Sequence, residues 1–138
     1  MPVCLAHAHA LMTGCAARGV AVVRIFCREG PATRHNPLAA AGGLIRPLDD
    51  LAPCDASATF DKQRHSALVG TDLPVWLRQH RIHWLIAAGV RTGQCCETTV
   101  RHTSDEGIAP PASPPASICP CTWWCTTAVK RWTPPSSR

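Results

Sequence analysis

Large aromatic side chains are scarce: the 138 residues include no tyrosine, two phenylalanines and five tryptophans. The 46% apolar content therefore leans on alanine and valine, and such a core buries less area per residue than one of Leu and Phe. No apolar run is long enough to span a bilayer as a helix, which excludes a membrane partner of that kind. No basic cluster exists either. Fourteen Lys and Arg stand against nine Asp and Glu, and the longest block is Lys130-Arg131. Without a basic stripe interleaved with aromatics, a nucleic-acid partner is not expected. The N-terminus, MPVCLAHAHALMTGC, lacks the basic flank of a signal peptide, so a cytoplasmic, reducing location is the default. The nine cysteines are too sparse for a disulfide scaffold and odd in number.

At this length the chain holds one domain around one core. Leu5, Ala8, Leu11, Met12 and Cys15 recur at helical spacing, predicting a helix over residues 1–19 that stops at Gly19. Val20 to Phe26 is β-branched and nearly continuous, the pattern of a strand covered on both faces. Residues 28–59 are punctuated by Pro31, Pro37, Gly42-Gly43, Pro47 and Pro53, and read as a long connection. Ala58 to Phe60 reads as a short strand ending at Asp61-Lys62. A helix begins at Thr71 as N-cap, with Leu73, Trp76 and Leu77 as its apolar stripe and Arg78, Gln79 and His80 facing water. His7 and His9, two apart on a helix, do not share a face and read as surface residues.

The stretch IHWLIAAGVRTGQCCETTVRHTSD, residues 82–105, organises the rest. Ile82 to Ala88 is an apolar run of strand length. Breaks at Gly89 and Gly93 follow, then a helical segment with Cys95 and Cys96 in its first turn. Open α/β sheets place their chemistry where a strand feeds a loop and a helix. The unpaired N–H groups of a first helical turn favour negative charge, making a cysteine there more nucleophilic. The competing reading is that both cysteines are small buried residues. After Gly107 the pattern ends. Residues 108–138 hold seven prolines with no periodicity, and an irregular tail is expected.

Phe60-Asp61-Lys62-Gln63-Arg64-His65-Ser66-Ala67-Leu68-Val69-Gly70-Thr71-Asp72-Leu73 resembles the lysine-bearing motif of the isochorismatase-like cysteine hydrolases. That superfamily also holds nicotinamidases and N-carbamoyl amidohydrolases. Gly89-Val90-Arg91-Thr92-Gly93-Gln94-Cys95-Cys96-Glu97-Thr98-Thr99 is similar to its nucleophile motif. Both occur in the expected order, and the match covers residues 16–107. The resemblance implies a three-layer α/β domain on a parallel sheet, incomplete here, over residues 1–107. It implies an Asp-Lys-Cys triad with Cys95 as nucleophile and Lys62 as the nearby positive charge. It places a non-proline cis peptide between Val90 and Arg91, which with Gln94 and Cys95 forms the oxyanion region. Cys96 falls where relatives carry a small apolar residue, so packing is its expected role. The implied reaction is attack of the cysteine on an amide or related C–N bond of a small molecule, followed by hydrolysis of the acyl-enzyme.

The triad's aspartate has no counterpart in sequence. The family carries it at the end of its first strand, yet no Asp or Glu precedes Glu29 here. Asp49, Asp50, Asp55 and Asp61 lie in no matching motif. The reading is therefore of a chain truncated at its N-terminus and aberrant after Gly107, as from a frameshift. Exposed strand faces would then call for a second copy, a homo-oligomer. A catalytically inactive homologue that binds a small ligand or a subunit is the alternative. Cys119, Cys121 and Cys125 lack a fourth ligand for zinc, and His35 lacks a paired Asp-x-His, so neither metal nor other cofactor is expected.

Overall fold

The computed structural model describes residues 2–31, 33, 35–39, 42–47, 49, 55–89, 92–108 and 125–131. In chain order these form α1 (Pro2–Ala16), β1 (Ala21–Cys27), β2 (Ala58–Lys62), α2 (Leu73–Gln79) and β3 (Ile82–Gly89). A single π-helical turn, Thr92–Cys96, then leads into α3 (Glu97–Asp105), and β4 (Cys125–Arg131) closes the series. The strands make one sheet in the order β2-β1-β4-β3. β1 and β2 are parallel, while β4 lies antiparallel to both β1 and β3. β1, β2 and β3 therefore share one direction, as a wound α/β sheet requires, and β4 alone runs against them.

β1 sorts its side chains by alternation. Val20 and Val22 face Ala8, Leu11, Met12 and Cys15 of α1, with Ile86 of β3 beside them. Val23 and Ile25 face the other way, against Leu73 and Leu77 of α2 and Cys96 and Val100 of the α3 side. Helices thus cover both faces, giving three layers. In β3, Leu85 and Ala87 face α2 and α3 while Ile86 faces α1. Ile82 also faces α2, which strict alternation from Ile86 forbids. The register shift between Ile82 and Trp84 inserts one extra residue in β3, which reverses the alternation there.

α1 stops where its sequence indicates. Gly19 takes φ 67°, and the amide of Val20 donates back to the Cys15 carbonyl at 2.9 Å. This left-handed closure turns the chain straight into β1. α2 begins one residue later than expected, with Asp72 in place of Thr71 at the N-cap position. Thr71 still supports that end, because its Oγ1 accepts from the Leu73 amide at 3.2 Å and donates to the Ala67 carbonyl at 2.6 Å.

The largest departure is β4. The sequence after Gly107 reads as irregular, yet Cys125–Arg131 is a strand placed between β1 and β3. Its backbone pairs on both sides, with β1 and with β3. The rest of the tail reading, at residues 109–124 and 132–138, falls outside the described residues.

Candidate active site

Lys62 is the last residue of β2, and alternation aims it. Ala58 and Phe60 pack toward α2 and α3, so Lys62 projects to that same side, while Thr59 and Asp61 are exposed. Its side chain is 1% exposed. Cys95 reaches the same spot from the other direction, half-buried in the π-helical turn that follows β3. Lys62 Nζ stands 3.2 Å from Cys95 Sγ and donates to the Arg64 carbonyl at 2.8 Å. An amine held this close to sulfur stabilises negative charge developing there, the more so away from water. The pair sits at the carboxyl ends of β2 and β3, where wound α/β sheets leave a crevice.

The turn differs from the expected helical start at Gly93. Cys95 precedes α3 instead of lying in its first turn, and Cys96 takes the N-cap position without a side-chain cap. Cys96 is 5% exposed and packs in the core with Leu77 and Leu85. Gln94 is exposed on the same turn. Val90 and Arg91, expected to bracket the oxyanion region, lie outside the described residues.

Three residues that the motifs do not single out hold this arrangement together. Thr99 Oγ1 donates to the Cys95 carbonyl at 2.6 Å and accepts from the Ala67 amide at 3.0 Å. Ser66 Oγ accepts from the Leu68 amide at 3.2 Å and lies 2.9 Å from His102 Nδ1. His102 Nε2 is in turn 3.9 Å from Glu106 Oε1. The available signal was spacing: Cys95, Thr99 and His102 stand at i, i+4 and i+7, one face of a helix.

Carboxylates are engaged elsewhere. Asp61 pairs with Arg28 at 2.9 Å, Asp49 with Arg46 at 2.7 Å, and Glu97 with Arg101 at 2.6 Å. Among the described residues, no Asp or Glu pairs with Lys62. Asp55 is exposed, and Asp50 is outside the described residues. His7, His9 and His35 are exposed. The described residues contain no group of three His, Cys, Asp or Glu suited to a metal ion; Cys119 and Cys121 are outside them. A cleft of about 280 Å³ opens at the other end of β3, lined by Arg78, Arg81, His83 and Glu106 among others. The C-terminal ends of α2 and α3 meet there, which accounts for cationic residues at that place.

The fold is a wound α/β domain that brings Lys62 and Cys95 together at the carboxyl ends of its strands. A family model described as the isochorismatase domain matches residues 5–110, and the chain belongs to the isochorismatase family. An N-carbamoylsarcosine amidase from an Arthrobacter species is 39% identical over 61 residues, covering 44% of this chain and 22% of that protein. A ureidoacrylate amidohydrolase from Cronobacter sakazakii is 35% identical over 68 residues, covering 49% of this chain and 29% of that one. A crystal structure of an isochorismatase-family protein from Burkholderia xenovorans LB400 superposes with a TM-score of 0.69 at 28% identity. It covers 77% of this chain and 50% of that structure. The chain thus spans under a third of the curated relatives and half of the solved one.

Proposed function

We propose that the chain carries the nucleophile half of a cysteine hydrolase that cleaves a small amide or related C–N bond. The single observation behind this reading is the 3.2 Å contact between the buried Lys62 amine and Cys95 Sγ. Cys95 sulfur attacks the amide carbonyl, with Lys62 supporting the charge on sulfur before attack. Collapse of the tetrahedral intermediate expels the amine and leaves an acyl-enzyme on Cys95. Water then releases the acid and restores the thiol. The names of two relatives, an amidase of N-carbamoylsarcosine and a hydrolase of ureidoacrylate, support a carbamoyl or acyl amide as substrate class. The described residues include no helix long and apolar enough to cross a membrane, and a cytoplasmic site of action fits this chemistry.

A second reading rests on a specific observation. The reaction needs a group that removes the thiol proton and protonates the departing amine, and no carboxylate among the described residues pairs with Lys62. A chain without that group is a homologue that binds a small ligand or a subunit and does not turn it over. The test is full-chain protein incubated with a panel of N-carbamoyl amino acids and primary amides. Ammonia release is followed together with the mass of the Cys95 peptide. Turnover that Cys95→Ser abolishes, with an acyl adduct on Cys95, supports the hydrolase. Ligand binding without adduct or ammonia selects the second reading.

A further inference from the structure

We infer that Thr99 is the positioning residue that sets the distance between Lys62 and Cys95. The inference rests on the proposed role of that pair. One hydroxyl, 0% exposed, joins the two segments that carry them. The Ala67 amide can only donate, so Thr99 Oγ1 accepts there at 3.0 Å. Its own proton is then directed to the Cys95 carbonyl at 2.6 Å. Ala67 lies in the loop running on from Lys62, and Cys95 lies in the turn before α3, so Thr99 Oγ1 is one atom that bridges lysine loop and thiol turn. That bridge is demanding. The loop around Ala67 has no strand or helix of its own, and the Ala67 amide is buried. A group offering both an acceptor and a donor is needed, in the volume of a threonine.

One turn further along α3, Ser66 Oγ meets His102 Nδ1 at 2.9 Å and repeats the tie between the same loop and the same helix. Of the two side-chain ties, it is the one through Thr99 that reaches the backbone of the nucleophile. A purely structural residue would contribute to holding the fold; a positioning residue also controls how the thiol behaves in the folded chain.

The test is peptide-resolved alkylation of the full chain by iodoacetamide, with buried Cys15 and Cys96 as internal reporters of folding. Thr99→Val keeps the shape and removes both hydrogen bonds. It is expected to slow Cys95 alkylation at least about tenfold, since two buried hydrogen bonds are lost together, while Cys15 and Cys96 stay protected. Thr99→Ser keeps the hydroxyl and is expected to restore the Cys95 rate to within about threefold of the parent. Where valine prevents folding, Thr99→Ala is used with the same expectation. An unchanged Cys95 rate in folded Thr99→Val overturns the inference, as does exposure of Cys15 and Cys96 in both variants. Lys62→Met run alongside separates the two claims. A slowed Cys95 in Lys62→Met with an unchanged one in Thr99→Val leaves the pair standing and removes Thr99. An unchanged Cys95 in Lys62→Met removes the pair, and the inference with it.

Discussion

Lys62 Nζ meets two partners of different kinds: the carbonyl of Arg64, two residues on, at 2.8 Å, and the thiol of Cys95, 33 residues on, at 3.2 Å. A lysine 1% exposed has given up nearly all its water for these contacts. Desolvating an ammonium costs several kcal/mol, and one carbonyl with one thiol offsets only part of that. Lys62→Met keeps the stem and removes the charge, and the freed Arg64 belongs to an exposed stretch open to water. Stability in urea is therefore expected to hold or rise by about 1–2 kcal/mol, while any amide turnover falls at least about a hundredfold. A marked loss of stability would show that the lysine serves the fold first.

Ser66 presents the opposite balance. It is 4% exposed, accepts from the Leu68 amide and contacts the ring of His102. Ser66→Ala leaves a buried amide without its acceptor and the His102 Nδ1 without its neighbour. The expected loss is about 1–3 kcal/mol in chemical denaturation. His102→Ala removes the ring but leaves Ser66 still accepting from Leu68, so it is expected to cost less. The reverse ranking would mean that the ring, through Glu106, carries more of the tie than the amide does.

Gly89 ends β3 at φ 146°, a backbone setting that side chains rarely adopt. Three residues later the π-helical turn of Cys95 begins. Gly89→Ala is expected to cost about 1–3 kcal/mol of strain. Relaxing that strain re-aims the turn, so Cys95 alkylation in the folded variant is expected to shift while Cys15 does not. Measured together, melting temperature and peptide-resolved alkylation separate the two effects.

What could be read without coordinates follows from how local each cause is. The nearly continuous β-branched run of β1 and the apolar stripe of α2 are written in neighbouring residues. So is the reversal at Gly19. The Lys62–Cys95 contact was reachable only through the paired motifs, since nothing in the residues between them specifies a distance. β4 was missed because its driving force is pairing with β1 and β3 on both sides, a tertiary gain that proline-rich flanks conceal. The π-helical turn and the bulge between Ile82 and Trp84 are one-residue adjustments set by packing and strand pairing, and a continuous apolar run does not announce them. Thr99 was visible as part of a motif but not as a bridge, because Ala67 approaches it from a loop with no pattern of its own.

Asp61 stands beside Lys62 in the chain and is the nearest carboxylate by sequence to the pair. Alternation in β2 sends it the other way, to the exposed side, where it meets Arg28 Nε at 2.9 Å. That contact has an ion pair's distance without a hydrogen bond's alignment, and Arg28 Nε is buried with no hydrogen-bond partner. Both side chains remain over a third exposed, so the pair contributes at most about 1 kcal/mol. Asp61→Asn is therefore expected to lower stability by no more than about 1 kcal/mol. Cys95 alkylation and any turnover are expected to stay within about twofold of the parent, since no proton path joins opposite faces of a strand. A turnover loss beyond about tenfold at preserved stability would make Asp61 the acid–base group. β2 would then have to rotate to bring Asp61 to Cys95, and that same rotation would carry Lys62 away from the thiol.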